Sequence, residues 1–314
     1  VAFCPGGTRL ISGGVDGTVK IWSLGITRER RVVTTPGELV ERVLFSPDGR
    51  FIASCATGGM LCIRDARTGE EKMRTRGHED TALSLSFSPD GKRLVSASLD
   101  GTIKVWDVVS GHELPALPRQ TGRVYAVFTP DGNHIVSGGE DRIIRIWDAD
   151  SGGLVTTIRG QEGTISSVAV SPDGKYIASA SPRQIKIWEA QTERELVTLA
   201  VSQERVARIA FSPDGRSLVC AGNSVKRLVQ TNPVVEIWDV ATGKKRGVLR
   251  GHSTNVSDVT FSPNGRRIVT AGNDGTVRIW DSQTGSEILV LRVWANAWPW
   301  LGCSSVTFTP NGRT

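Results

Sequence analysis

The stretch LSLSFSPDGKRLVSASLDGTIKVWD, residues 83–107, decides how the chain folds. Leu83, Leu85 and Phe87 alternate with Ser84 and Ser86, the period-2 signature of a strand that buries one side. Pro89, Asp90 and Gly91 then make a turn: proline presets φ, aspartate can bond its own backbone, and glycine accepts positive φ. A second strand follows over residues 93–98, Asp100 with Gly101 closes a hairpin, and β-branched and aromatic residues carry a third strand over 102–107. Ser110 with Gly111 turns into a fourth, weaker strand. The middle strands are apolar toward both faces (Leu94, Val95 and Ala97; Ile103, Val105 and Trp106), as expected of a sheet sandwiched between neighbours.

This pattern repeats along all 314 residues. An apolar residue followed by Ser, Thr or Cys, then Pro and a glycine-containing turn, recurs at Phe3, Phe45, Phe87, Phe128, Val170, Phe211, Phe261 and Phe308, with spacings of 42, 42, 41, 42, 41, 50 and 47. A second landmark, a β-branched residue then Trp, keeps the same period at Trp22, Trp106, Trp147, Trp188, Trp238 and Trp280, with Arg64 in the matching place of the second unit. No segment longer than about ten residues has helical periodicity, so the chain reads as all-β. A four-stranded antiparallel sheet of this size cannot bury both faces alone, but copies stacked radially can, as propeller blades do.

On these residues the unit resembles the tryptophan–aspartate (WD) repeat, with Gly77-His78 and Gly251-His252 near the start of their units and Trp-Asp at Trp106-Asp107, Trp147-Asp148, Trp238-Asp239 and Trp280-Asp281. The resemblance covers essentially the whole chain and implies a seven-bladed β-propeller of four-stranded antiparallel blades. The seven WD repeats are expected over 1–292, with an insertion at 223–233 between the second and third strands of the sixth. Residues 293–314 are expected to form a tryptophan-rich connection and the first strand of a truncated eighth repeat. Bacterial proteins of this kind carry such tandem arrays attached to a serine/threonine kinase or another effector, which would lie outside these residues. The opening Val1-Ala2, with neither initiator methionine nor signal sequence, is read the same way: a chain either processed or cut from something longer.

The resemblance also implies a structural hydrogen-bond set in a blade, made of His, Ser or Thr, Asp and Trp. By position these are His78, Ser96, Asp100 and Trp106 in the third unit and His252, Thr270, Asp274 and Trp280 in the seventh. A Ser-His-Asp grouping invites a hydrolase reading, but the set recurs and no strained nucleophile turn or oxyanion donor accompanies it, which favours a structural role. The other units depart from the pattern: Pro36 and Arg64 in the second, Arg119 in the fourth, Gln161 and Arg183 in the fifth, Ser202 and Cys220 in the sixth. Five units carry a basic residue two places before Trp (Lys20, Lys104, Arg145, Lys186, Arg278), read as stems snorkelling along the sheet edge rather than as phosphate contacts.

Where the repeat breaks, function is sought. The insertion of the sixth unit carries Lys226 and Arg227, and the connection before Phe308 carries Trp294, Trp298 and Trp300. In the WD-repeat architecture both emerge on one rim, giving a candidate partner-binding patch of Lys226, Arg227, Trp294, Trp298 and Trp300. The alternative is that these tryptophans plug the closing seam or pack on a further blade.

No phosphate-binding G-x-x-x-x-G-K-[ST] loop, kinase catalytic loop, G-x-S-x-G elbow or metal-binding histidine pair occurs, and each Pro-Asp-Gly turn offers too few oxygens for calcium. Neither cofactor nor metal is expected, and an enzyme is not. The first strands offer mostly Ser, Ala and aliphatic residues to a central channel, which disfavours catalysis there. The five cysteines (Cys4, Cys55, Cys62, Cys220, Cys303) lack C-x-x-C spacing and read as buried hydrophobes of a reducing, cytoplasmic environment. No apolar run is long enough to span a bilayer. The expectation is a non-catalytic scaffold, monomeric as a domain, that binds protein partners and no membrane. With a net charge of +6 and pI near 9.3, the alternative is an RNA or ribonucleoprotein binder using Lys226, Arg227, Lys244, Lys245 and Arg246.

Overall fold

The computed structural model describes residues 2–4, 9–14, 16–23, 28–34, 39–223, 233–292 and 303–305. Within them the chain forms antiparallel sheets in sequence order, each a meander of consecutive strands. The fourth unit is typical: Val124–Phe128, His134–Gly139, Ile144–Asp148 and Leu154–Ile158 pair in that order. The sheets pack face to face, each innermost strand against that of the next unit. The last of them packs against Cys303–Ser305, which pairs with the second strand of the first unit, Arg9–Gly14, at Gly13 and Gly14. That strand also holds Ala2–Cys4 along Arg9 to Ile11, so two distant segments share one edge. No helix among the described residues is long and apolar enough to cross a membrane.

The expected seven four-stranded blades are corrected to six. Six sheets hold four consecutive strands, the first with Cys303–Ser305 added, whereas the third unit forms only a three-stranded sheet of Ala82–Phe87, Arg93–Ser98 and Ile103–Asp107. The cause is local. Thr156 pairs with Ile146 in the outer ladder of the fourth unit, and the phase-matched residue of the third unit is Pro115. Proline has no N–H to donate, and Pro118 follows three residues later. What remains of the edge is one bridge, Trp106 to Glu113, and bonds from the Leu114 and Leu117 N–H groups to the Val105 and Ile103 carbonyls at 2.8 and 3.3 Å.

Burial follows the stacking. Separate apolar clusters lie between neighbouring sheets: Ala53, Leu61 and Ile63 meet Leu85, Leu94 and Trp106, and Val136, Ile144 and Ile158 meet Val168, Ile177 and Trp188. Both faces of the middle strands are consumed in this way, so each strand contributes to two clusters. The turn after the innermost strand has one design in the second to seventh units. Ser88 Oγ donates to Asp90 Oδ1 at 2.6 Å and accepts from the Arg93 N–H at 2.9 Å, while Gly91 takes φ of 72°. The Asp of the Trp-Asp pair acts just as locally. Asp148 Oδ1 accepts the Ser151 N–H at 2.7 Å and the Ser151 hydroxyl at 2.6 Å, capping the turn to the outer strand.

Candidate functional site

In the seventh unit the histidine set forms one chain of donors and acceptors. His252 Nδ1 lies 2.9 Å from Asp274 Oδ2, its Nε2 lies 2.7 Å from Thr270 Oγ1, and the Trp280 indole N–H donates to the same Oγ1 at 2.9 Å. With Nδ1–H given to the carboxylate, Nε2 accepts from the threonine hydroxyl, and every polar atom of the set is occupied. Burial pushes the Asp274 pKa upward, but bonds from His252, Thr276 and the Ser253 N–H outweigh it and hold the carboxyl well below its usual range.

In the third unit His78 Nε2 lies 2.7 Å from Ser96 Oγ, which also accepts the Trp106 indole N–H at 2.9 Å. Here the carboxylate is reached indirectly: His78 Nδ1 lies 2.7 Å from Thr102 Oγ1, which donates to Asp100 Oδ1 at 2.5 Å, while Asp100 Oδ2 stands 3.7 Å from the ring. Burial pushes the His78 pKa down to about 4 against the opposing pull of Asp100. Ser96 is 0% exposed, so its hydroxyl has no path to a substrate.

Two units that lack histidine rebuild the set with glutamine. Gln120 Nε2 donates to Ser137 Oγ at 2.8 Å, and Trp147 donates to the same oxygen at 2.8 Å. Ser179 Oγ donates to Gln161 Oε1 at 3.0 Å and accepts from Trp188 at 2.9 Å. Gln120 escapes a reading of the sequence because it stands one residue closer to its Phe128 than His78 does to Phe87. The sixth unit is incomplete: Cys220 replaces the hydroxyl, and the buried Trp238 indole N–H has no hydrogen-bond partner.

Three of the basic residues before Trp are ion-paired toward the outer edge of their sheet. Lys104 meets Glu113 at 2.9 Å, Lys186 meets Glu195 at 2.8 Å, and Arg278 meets Glu287 at 2.5 Å. Arg145 instead turns to Asp141 at 2.6 Å and to Gln120 at 2.9 Å. Lys104 and Lys186 also lie 5.8 and 5.7 Å from the ring centres of Trp106 and Trp188. Of the cysteines, Cys55, Cys62 and Cys220 are buried free thiols, and burial raises their pKa, to about 12 for Cys62.

The candidate rim residues Lys226, Arg227, Trp294, Trp298 and Trp300 lie outside the described residues, as do Trp22 in its side chain, Pro36, and Cys4 and Cys303 in theirs. The root of the insertion is described: Asn223 ends the strand Ser217–Asn223.

Asn223 also lines a cavity of about 330 Å³ on the central axis, together with Arg42, Tyr125, Arg205, Arg208 and Asn273. Below it lies a second cavity of about 290 Å³, to which Arg42, Arg208 and Asp258 contribute. The innermost strands bring three charged side chains together: Arg42 Nη1 lies 3.0 Å from Asp258 Oδ1, and Arg208 Nε lies 3.6 Å from the same oxygen. Asp258 is 0% exposed, and burial beside Arg42 pulls the Arg208 pKa down to about 10. The axis therefore carries charge at Arg42, Arg208 and Asp258, where mostly Ser, Ala and aliphatic residues were expected. The signal is present in the sequence, since Arg42, Arg208 and Asp258 each stand three residues before the landmark Phe45, Phe211 and Phe261. Ser84, Tyr125 and Ser167 hold that phase in the other units.

A model of the family described as "WD domain, G-beta repeat" matches residues 1–23, 30–65, 69–107, 110–148, 152–189 and 243–281, well over half of the chain. It passes over the sixth unit, where Cys220 and the insertion stand. The "Notchless protein homolog" of Arabidopsis thaliana is 34% identical over 71 residues, which are 22% of this chain and 15% of that protein.

Proposed function

Because the chain belongs to the WD-repeat family, we propose that it is a non-catalytic propeller scaffold whose rim recruits protein partners. It would act in the cytoplasm as the recruiting or regulatory part of a larger protein, such as a bacterial serine/threonine kinase. One observation supports this most directly: the side chains that resemble a hydrolytic triad are spent on structure. Ser96 and Thr270 are each 0% exposed and bonded to both a histidine and a tryptophan. A nucleophile needs an open approach and an oxyanion donor, and neither accompanies these hydroxyls. WD-repeat propellers in general serve as interaction platforms, which agrees with this reading.

Within the proposal Lys226, Arg227, Trp294, Trp298 and Trp300 form the contact patch, the tryptophans as anchors and the two cations for orientation. The test is a pull-down with Trp298→Ala/Trp300→Ala beside the parent chain, at matched circular dichroism and thermal midpoint. Loss of partners is expected, whereas retention of every partner would show the tryptophans to be packing residues. An RNA that binds with a steep dependence on salt and is released by Lys226→Glu/Arg227→Glu would replace the protein-scaffold reading.

A further inference from the structure

We propose that the axial cavity is a receptor for one carboxylate, an aspartate or glutamate side chain inserted by a partner polypeptide. The inference rests on the scaffold reading and adds to it the chemistry of the inserted group. Its basis is an imbalance of charge in a confined space. Arg42 and Arg208 line both axial cavities and share one carboxylate oxygen of Asp258, so that among the described residues the two guanidiniums exceed their shared carboxylate by one charge. Arg205 and Glu41 on the wall of the upper cavity cancel one another formally. Arg42 Nε is buried without a hydrogen-bond partner, and the Arg42 and Arg208 side chains keep only 11% and 16% of their surface.

A guanidinium presents its N–H groups in a planar fork that matches a carboxylate. The net excess of one positive charge selects a monoanion, because a dianionic phosphate would leave a surplus negative charge in a partly dehydrated site. The polar remainder of the wall suits a peptide: Tyr125, Asn223, Asn255 and Asn273 bring hydroxyl and amide groups to it, while the Ser166 and Ser257 hydroxyls donate to the Val206 and Ala271 carbonyls. The volume of about 330 Å³ holds a side chain and its flanking backbone, and no folded element.

The test measures fluorescence anisotropy of three labelled, glycine-flanked peptides whose central residue is glutamate, glutamine or phosphoserine. The glutamate peptide is expected to bind the parent chain about tenfold more tightly than the glutamine peptide. Arg208→Gln should abolish that preference. Asp258→Asn keeps the shape of the side chain and removes its competing charge, so it should tighten the glutamate peptide severalfold. Equal binding of the glutamate and glutamine peptides overturns the proposal. So does preference for phosphoserine, or failure of a folded Asp258→Asn chain to bind more tightly. If partners in the pull-down survive Arg208→Gln but not Trp298→Ala/Trp300→Ala, the axial proposal fails while the scaffold reading stands.

Discussion

Lys245 bonds to Glu236 across the two outer strands of the sixth unit, and the pair is the mirror image of Lys186 with Glu195 in the unit before it. In both cases the partners are nine residues apart, but the cation comes first in the fifth unit and second in the sixth. The geometry of the sheet fixes where the two side chains meet and leaves the order of their signs free. Glu236 is the buried member at 1% exposure and also accepts the Ser202 N–H at 3.3 Å. Lys245→Ala would strand this carboxylate, at a cost of about 1–3 kcal/mol. Exchanging the two residues, Glu236→Lys with Lys245→Glu, should recover most of that loss. Urea unfolding of the two single variants and the double variant forms the necessary cycle, and a coupling within about 0.5 kcal/mol of zero would show the pair to be incidental.

Cys220 marks a vacancy of a different kind. The phase-matched residues Ser96, Ser137, Ser179 and Thr270 each accept the indole N–H of their unit, at 2.8 to 2.9 Å. A thiol is a weak acceptor, and Trp238 is left unpaired inside the sheet stack. Cys220→Ser should therefore stabilise the chain by about 1 kcal/mol, through an acceptor for a donor that is already buried. The thermal midpoint reports it, and Trp238→Phe in the same background should erase the gain. The Cys220 Sγ also lies 3.7 Å from Gln203 Oε1 and 3.9 Å from Glu236 Oε2, so a Cys220→Ser chain no more stable than its parent would mean that the hydroxyl bonds one of these instead.

What can be read in advance follows from how the information is distributed. Strand order, turns and the spokes at His78 and His252 are legible because each rests on residues close in sequence and repeated at one period. The third unit misleads because its repeat landmarks are intact up to Asp107, and the disruption lies in Pro115 and Pro118, beyond the motif that identifies the unit. The axial charges escape for the opposite reason. Arg42 and Asp258 are 216 residues apart, and only the circular arrangement joins them. A charge at one position of one strand reads as an exposed residue until the strands are brought to a common axis.

The open edge of the third unit offers a direct trial of that account. If Pro115 interrupts the outer ladder by lacking an N–H, Pro115→Thr supplies the donor that Thr156 provides in the fourth unit. Amide exchange across residues 114–117 should slow by about tenfold or more, with a gain in stability of about 1 kcal/mol. Unchanged exchange would locate the interruption at Pro118 instead, and Pro115→Thr/Pro118→Thr would then be needed to close the ladder.

His78 gives the chain a dependence on pH whose sign is fixed by burial. The imidazole is 3% exposed, and its pKa falls from 6.5 to about 4 on folding. The unfolded chain therefore holds the proton more tightly, and the contribution of His78 is intact above pH 6.5 and is lost as pH falls toward 4. Its size is at most about 3 kcal/mol across that window. Glu41 acts in the opposite direction, since burial raises its pKa, so total stability is a blunt measure. The comparison that isolates His78 is with His78→Gln, because Gln120 and Gln161 already fill the equivalent place in neighbouring units. Urea midpoints at pH 7 and pH 4.5 should differ more for the parent than for His78→Gln. Equal differences would mean that the imidazole stays as easily protonated in the folded chain as in the unfolded one, and that the bond to Ser96 does not fix its neutral form.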